Sequence, residues 1–425
     1  MTIAFLGIFI YGLLAALPGS VLPTLERNQF LPNDSAVGTF LLINAIGAVV
    51  AYLVSGPIID RIGKKVALTF GTSLVIVSLI ALAATVSKVS PTSALLYVFT
   101  CSLLLGLGAN AIVAAGHALA DVAASWRNAA LNLLDICFGL GLASLPLFVQ
   151  SLQRRAGLSS IFLMLSGLSI LLLLLVAFSR FPNSSHPDSS PVGAAGSLFR
   201  NPSFVLLASA LFMYVGAEVS VGKWVVTFME RDPRILTSYG LTTNHVASFA
   251  NMSPEMLSRF FETEAVGISI ASYALTTLTL FAMALLVGRL VSSFVLGVLH
   301  VNSYLLITLG SLLTTISLIV AFTASSSGAV RLGLIAAGFG MGPAFPTSVG
   351  LASVMMPRIA GTAMSLVMGV GFAGLLVIPP AVGYISSAVG GTAGDVRSGL
   401  MVVIAACVLM LMLHALLMLR ERGAD

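Results

Sequence analysis

Twelve times along 425 residues the chain runs for about twenty positions almost without a charge. That repetition constrains the fold more than any motif does. A run of roughly 20 apolar residues is what a helix needs to cross about 30 Å of hydrocarbon. The runs fall near 3–24, 36–59, 66–87, 93–121, 129–152, 157–180, 203–229, 265–289, 300–324, 328–352, 358–386 and 395–420. With 58% hydrophobic and 8% charged residues the composition excludes a soluble globular domain. The 40 glycines suit helices packed closely in a membrane. A net charge of +5 does not point to nucleic acid, because the basic residues stand singly at the ends of apolar runs. MTIAFLG lacks the basic leader of a signal peptide, so the first run reads as a membrane span. Cys101, Cys137 and Cys407 lie inside apolar runs, without the spacing of a disulfide framework or a metal site.

The class is therefore an all-α membrane protein of twelve transmembrane helices. The Pro-, Ser- and Gly-rich stretch at 181–202 reads as a linker between a six-helix bundle at 1–180 and another at 203–425. The second bundle carries a polar loop at 230–264, in which SPEMLSRFFE suggests a short capped surface helix. The halves echo one another. GLGAN in the fourth run corresponds to GFGMGP in the tenth, and FGLGLASLP in the fifth to MGVGFAGLLVIPP in the eleventh, where Gly139 and Gly141 face Gly369 and Gly371. Paired glycine-rich segments in two halves are the mark of an internally repeated transporter, although close helix packing alone also requires such glycines.

Ionised groups at the bilayer centre cost about 2.5–3.5 kcal/mol each on the insertion scale, so they face a cavity or a partner. Glu218 lies mid-run in YVGAEVSVGKWVV and is expected to face inward, as a hydroxyl acceptor, a proton carrier or the counter-ion of a neighbouring helix. Lys223 follows five residues later, about 140° round a regular helix, so pairing with Glu218 needs a helix break that Gly216 and Gly222 would permit. Lys223 otherwise snorkels to the interface. Asp135 and Asn132 share one face of the fifth run and can together accept and donate hydrogen bonds to hydroxyls. Trp224 is either an aromatic plane for a solute or an interfacial anchor. Asn110 and His117, seven residues apart, share a face of the fourth run, where His117 has a site role or bonds a carbonyl. No metal-ligand pair, activated nucleophile or phosphate loop appears, so neither an enzyme nor a cofactor is expected.

Between the second and third runs stands GPIIDRIGKK, with Gly56, Asp60, Arg61, Gly63, Lys64 and Lys65. A glycine here allows helices to approach, the charges can pair across the bundle, and the lysines can meet anionic headgroups. The stretch resembles the G-x-x-x-D-R-x-G-[RK]-[RK] loop of the major facilitator superfamily, with a weaker echo in VGRLVSS after the eighth run, where Gly288 and Arg289 remain. Arg127 and Asp121 bracket the loop between the fourth and fifth runs and read as clamp residues with Asp60 and Arg61. The resemblance implies two pseudo-symmetric six-helix bundles, cytoplasmic termini and alternating access. Counting Lys and Arg by loop favours cytoplasmic termini only barely.

Within that superfamily, Tyr214, Gly216 and Glu218 resemble the Y-x-G-x-E of the fucose:proton symporter branch, which includes glucose/galactose permeases and sodium-dependent glucose carriers. LNLLDICFGLG resembles that branch's fifth span, with Asp135 at a sugar-contacting position. The resemblance implies a monomeric secondary transporter of a hexose or similar solute in a cell or inner membrane, coupled to protons or sodium or to neither. Asp135 and Glu218 are the coupling candidates. The branch's carboxylates in the first and fourth spans are missing here, so its coupling does not carry over. Rival readings are an efflux carrier, disfavoured by the LASL between Gly141 and Pro146, and a nutrient receptor, disfavoured by the short RERGAD tail.

Overall fold

The computed structural model describes residues 1–123, 127–181, 198–249, 252, 254–357, 360–390 and 395–422, and the side chains of some of these, 120–132 among them, fall outside the description. Among the described residues, twelve helices are long and apolar enough to cross a membrane. Spans 1 to 6 are Thr2–Arg27, Asp34–Arg61, Lys64–Lys88, Pro91–Ala123, Arg127–Ala156 and Leu158–Phe178. Spans 7 to 9 are Pro202–Arg231, Ala265–Gly297 and Ser303–Thr323. Span 10 is made of Ser327–Met341 and Ala344–Met355, span 11 of Ala360–Ala373 and Ile378–Gly390, and span 12 is Val396–Arg422.

The ends follow from local chemistry. Asn33, Asn201, Asn302 and Ser326 each turn a side-chain oxygen onto the orphan backbone donors that begin spans 2, 7, 9 and 10. Pro202 stands at the start of span 7, where its missing N–H costs nothing. Gly63 turns the chain between spans 2 and 3 at φ 115°, a conformation that a side chain would oppose. Widely exposed residues such as Leu96, Phe178, Leu332 and Leu419 have no polar opposite face, because the surrounding solvent is lipid. Span 8 continues to Gly297, so VGRLVSS lies within the helix rather than after it.

The chain divides into two compact units, 1–187 with 241–279, and 188–240 with 280–425. Most of the stretch expected to be a linker, 182–197, lies outside the described residues. In the expected loop the short helix Pro254–Thr263 packs on the end of span 1. There Ser258 donates to the Asn28 side chain at 3.1 Å and Arg27 covers the Phe261 ring at 4.6 Å.

Each unit is closed by glycines that let backbones touch, and these fix how the halves correspond. In the first unit a Cβ on Gly106 would collide with the Asn44 carbonyl of span 2, one on Gly108 with Gly71 of span 3, and one on Gly141 with Phe9 of span 1. In the second unit Gly338 meets Phe281 of span 8, Gly340 meets Gly310 of span 9, and Gly374 meets Phe212 of span 7 in the same manner. The pairing of spans 4 and 10 is as expected. For spans 5 and 11 the counterpart of Gly141 is Gly374, whereas Gly369 has open space around it.

Candidate functional site: a mid-span ion pair and its neutral counterpart

Span 7 is one unbroken helix, so Glu218 and Lys223 stay on different sides of it. Glu218 pairs with Arg289 of span 8, Oε1 to Nη2 at 3.6 Å, and the two side chains are only 13% and 15% exposed. Arg289 was expected in a membrane-edge clamp; it stands eight residues before the end of span 8 because that helix runs on to Gly297. Its neighbour Gly288 packs on the Phe339 carbonyl, and Gly342 packs on the Gly288–Arg289 backbone. Spans 8 and 10 therefore cross in contact beside the charge, just where span 10 is interrupted at Gly342–Pro343. Tyr214, one turn before Glu218, is fully buried with its hydroxyl within electrostatic reach of both charges. That hydroxyl completes no hydrogen bond among the described residues.

The first unit builds the same place without charge. Since Phe9 takes the place of Phe212, counting along span 1 sets Tyr11 against Tyr214 and Ala15 against Glu218. Since Asn44 takes the place of Phe281, Tyr52 stands where Arg289 stands. Tyr11 donates to the Asn110 side chain at 3.4 Å and stacks on Phe138 of span 5 at 5.5 Å. Tyr52 is within electrostatic reach of Tyr11. A cluster of tyrosine, amide and phenyl ring from spans 1, 2, 4 and 5 results, with hydrogen-bonding edges and a flat apolar face. Asp135 is half-buried on span 5, three residues before Phe138, and no side chain pairs with it among the described residues. Asn132 shares its helix, but its side chain lies outside the description.

Other expected site residues are bound internally. Asn110 also donates to the Gly106 carbonyl at 2.8 Å, and His117 Nδ1 meets the Val113 carbonyl at 2.9 Å. Lys223 is buried on span 7. Trp224 is wholly buried, and its Nε1–H donates to the Pro379 carbonyl at 3.0 Å. It thus fastens span 7 to span 11 beside the interruption of span 11 at Gly374–Val377, and exposes neither a solute-facing plane nor an interfacial edge.

In GPIIDRIGKK the side chains of Asp60 and Arg61, like Gly56 and the side chain of Arg127, lie outside the description. Lys65 donates to the Ala177 and Ser179 carbonyls at 2.7 and 3.1 Å, closing the last turn of span 6, and Lys64 is buried. The counterpart of this loop is not VGRLVSS. The register places it at 293–302, where the turn again holds a left-handed residue, His300 at φ 52°. Among the described residues no cluster of His, Cys, Asp and Glu could hold a metal ion.

Sequence reasoning passed over Tyr11, Tyr52 and Phe138. The signal available was the tyrosine shared by FIYGLL and FMYVGAE, legible only once the halves are set in register.

The family model of the Major Facilitator Superfamily matches residues 4–299. A curated relative, "Bypass of stop codon protein 6" of Saccharomyces cerevisiae, is 25% identical over 324 residues, which are 67% of this chain and 62% of that protein. The chain thus spans about three fifths of that relative's length. Among solved structures, a D-xylose-proton symporter matches with a TM-score of 0.73 at 14% identity, over 98% of this chain and 96% of that one. The E. coli fucose:proton symporter matches with a TM-score of 0.61 at 15% identity, over 98% of both chains. Twelve apolar spans, a glycine register repeated between two halves and the matched family model agree: the chain belongs to the Major Facilitator Superfamily.

Proposed function

We propose that this transporter carries a small hydroxylated solute, a hexose in the first instance, by alternating access across a cell membrane, with both termini cytoplasmic. The observation that carries the reading is the Glu218–Arg289 pair. Two charges in mid-membrane are retained at positions where the other half manages with Ala15 and Tyr52, so they serve something other than closure of the bundle. Glu218 is the coupling group. A proton on its carboxylate removes the charge that balances Arg289, frees the guanidinium to seek another acceptor, and so favours one conformation over the other. The neutral cluster of Tyr11, Asn110 and Phe138 supplies what a sugar ring needs, hydrogen bonds at its edge and an aromatic plane beneath its C–H face. Asp135 adds an acceptor on the same helix as Phe138. Solved symporters of xylose and of fucose share this fold, as does a solved nucleoside transporter, so the fold accommodates the proposed solute class without selecting it.

Uptake of labelled hexoses, pentoses and nucleosides into proteoliposomes, with and without a pH or sodium gradient, tests the reading. Accumulation of a sugar driven by a pH gradient, reduced to mere equilibration in Glu218→Gln, is the expected result. Unaltered gradient-driven accumulation in Glu218→Gln would remove Glu218 from the coupling step.

A further inference from the structure

A cavity of about 390 Å³ opens in the second unit at the membrane edge where spans 8 and 10 end and span 9 begins. It lies within the range of small-molecule sites, about 300–1,000 Å³. Its wall carries five hydroxyls, from Ser292, Ser293, Ser303, Thr347 and Ser353, and no charged side chain. The remaining surface is apolar, chiefly Leu296, Pro346 and Leu351.

The hydroxyls are poised in one sense. Ser292 and Ser293 both donate to the Arg289 carbonyl at 2.9 Å, and Ser353 donates to the Gly350 carbonyl at 2.6 Å. Their protons are spent, so Ser293 and Ser353, the two of them that reach the surface, keep lone pairs for incoming donors. Thr347 lies at the back of this wall, 6% exposed, and its hydroxyl has no partner among the described residues. The position matters as well. Counting from the glycine register, Ser293 and Ser353 occupy the places of Gly56 and Asp121 in the first half, and Ser303 opens span 9 as Lys64 opens span 3. Where one half carries the charged GPIIDRIGKK loop, the other carries an uncharged stretch beside a hollow.

We propose that this hollow is a second solute site, for a small uncharged polyol whose hydroxyls donate to the serine oxygens while its C–H face lies on Leu296 and Leu351. It is separate from the ion pair yet tied to it, because two of its hydroxyls hold the backbone of Arg289. The cytoplasmic placement of this edge, and no other part of the inference, rests on the orientation proposed above. A free polyol and the glycerol moiety of a neutral lipid present the same chemistry.

The test is photolabelling of the purified full chain in lipid nanodiscs with a diazirine-bearing glucose, followed by peptide mapping. Label is expected on residues 343–355. It falls at least tenfold in Gly350→Leu, whose Cβ meets nothing within 4 Å and whose longer side chain occupies the hollow that Gly350 lines. It falls at least threefold in Ser293→Ala, which keeps the shape and removes an exposed hydroxyl. Competition by free glycerol identifies a soluble ligand, and competition by dioleoylglycerol in the bilayer identifies the lipid. Label absent from 343–355, or undiminished in Gly350→Leu, overturns the site. Glu218→Gln is expected to lose driven uptake and keep this label, so the failure of one reading is distinguishable from the failure of the other.

Discussion

The two halves of this transporter share a backbone plan and differ in what they place on it. Around Tyr11 the first half sets an amide and a phenyl ring, and its spans 4 and 5 run as single helices, Pro91–Ala123 and Arg127–Ala156. Around Tyr214 the second half sets an ion pair, and its spans 10 and 11 are interrupted at Gly342–Pro343 and Gly374–Val377. Interrupted membrane helices free backbone groups that must be satisfied by neighbours, which is tolerated where the protein binds or moves something. On the function proposed above, the first half recognises a neutral solute and the second responds to charge. Neither assignment could be made from one half alone, since the meaning of Glu218 comes from finding Ala15 in its place.

The strongest way to break that contrast is Arg289→Ala. It leaves the Glu218 carboxylate buried without its partner, a loss of about 3–5 kcal/mol for a buried pair. Gradient-driven uptake is expected to disappear and the melting temperature to fall. In the double variant Glu218→Gln with Arg289→Gln the melting temperature should recover much of the way while coupling stays lost. A double variant as unstable as Arg289→Ala would mean that the guanidinium holds the spans together by packing and not by charge.

A smaller effect sharpens the register on which the comparison depends. Gly106→Ala drives a methyl into the Asn44 carbonyl and should cost about 1–3 kcal/mol, with Gly338→Ala close behind. Gly369→Ala meets nothing within 4 Å and should stay within about 0.5 kcal/mol of the parent in thermal or denaturant unfolding. Equal losses at Gly106 and Gly369 would undo the assignment of Gly374, in place of a glycine of MGVG, as the partner of Gly141.

How much of this could be read from the chain follows from what each feature depends on. Span count and most of the approximate ends depend on hydropathy, which is local, and were legible. Glu218 was recognisable as an inward-facing carboxylate, with a counter-ion on a neighbouring helix as one of three roles open to it. Which residue answers it was not legible: Arg289 was taken for the end of a span, since the hydropathy of LVSSFVLG does not say whether a helix stops or continues past the bilayer. Trp224 was ambiguous because an indole N–H suits a solute, an interface or a carbonyl equally, and only the fold brings the Pro379 carbonyl to it. The neutral cluster was passed over for a related reason. Tyrosine and phenylalanine in apolar runs look like packing until three spans converge on them.

The mildest prediction concerns that cluster. Tyr11→Phe keeps the stack on Phe138 and removes only the hydroxyl that reaches Asn110 at 3.4 Å, a long hydrogen bond. Removing it should cost about 1 kcal/mol of stability or less. If the cluster binds solute, the larger effect is on recognition. KM for sugar should rise about three- to tenfold, with the ratio of driven to passive uptake unchanged, because coupling belongs to the other half. Tyr214→Phe should do the reverse, leaving KM nearly as it was and weakening the response to the gradient, since its hydroxyl stands beside Glu218 and Arg289. Two substitutions of the same kind at matched positions thus separate binding from coupling. Identical phenotypes for the pair would mean that the halves divide their sequence but not their work.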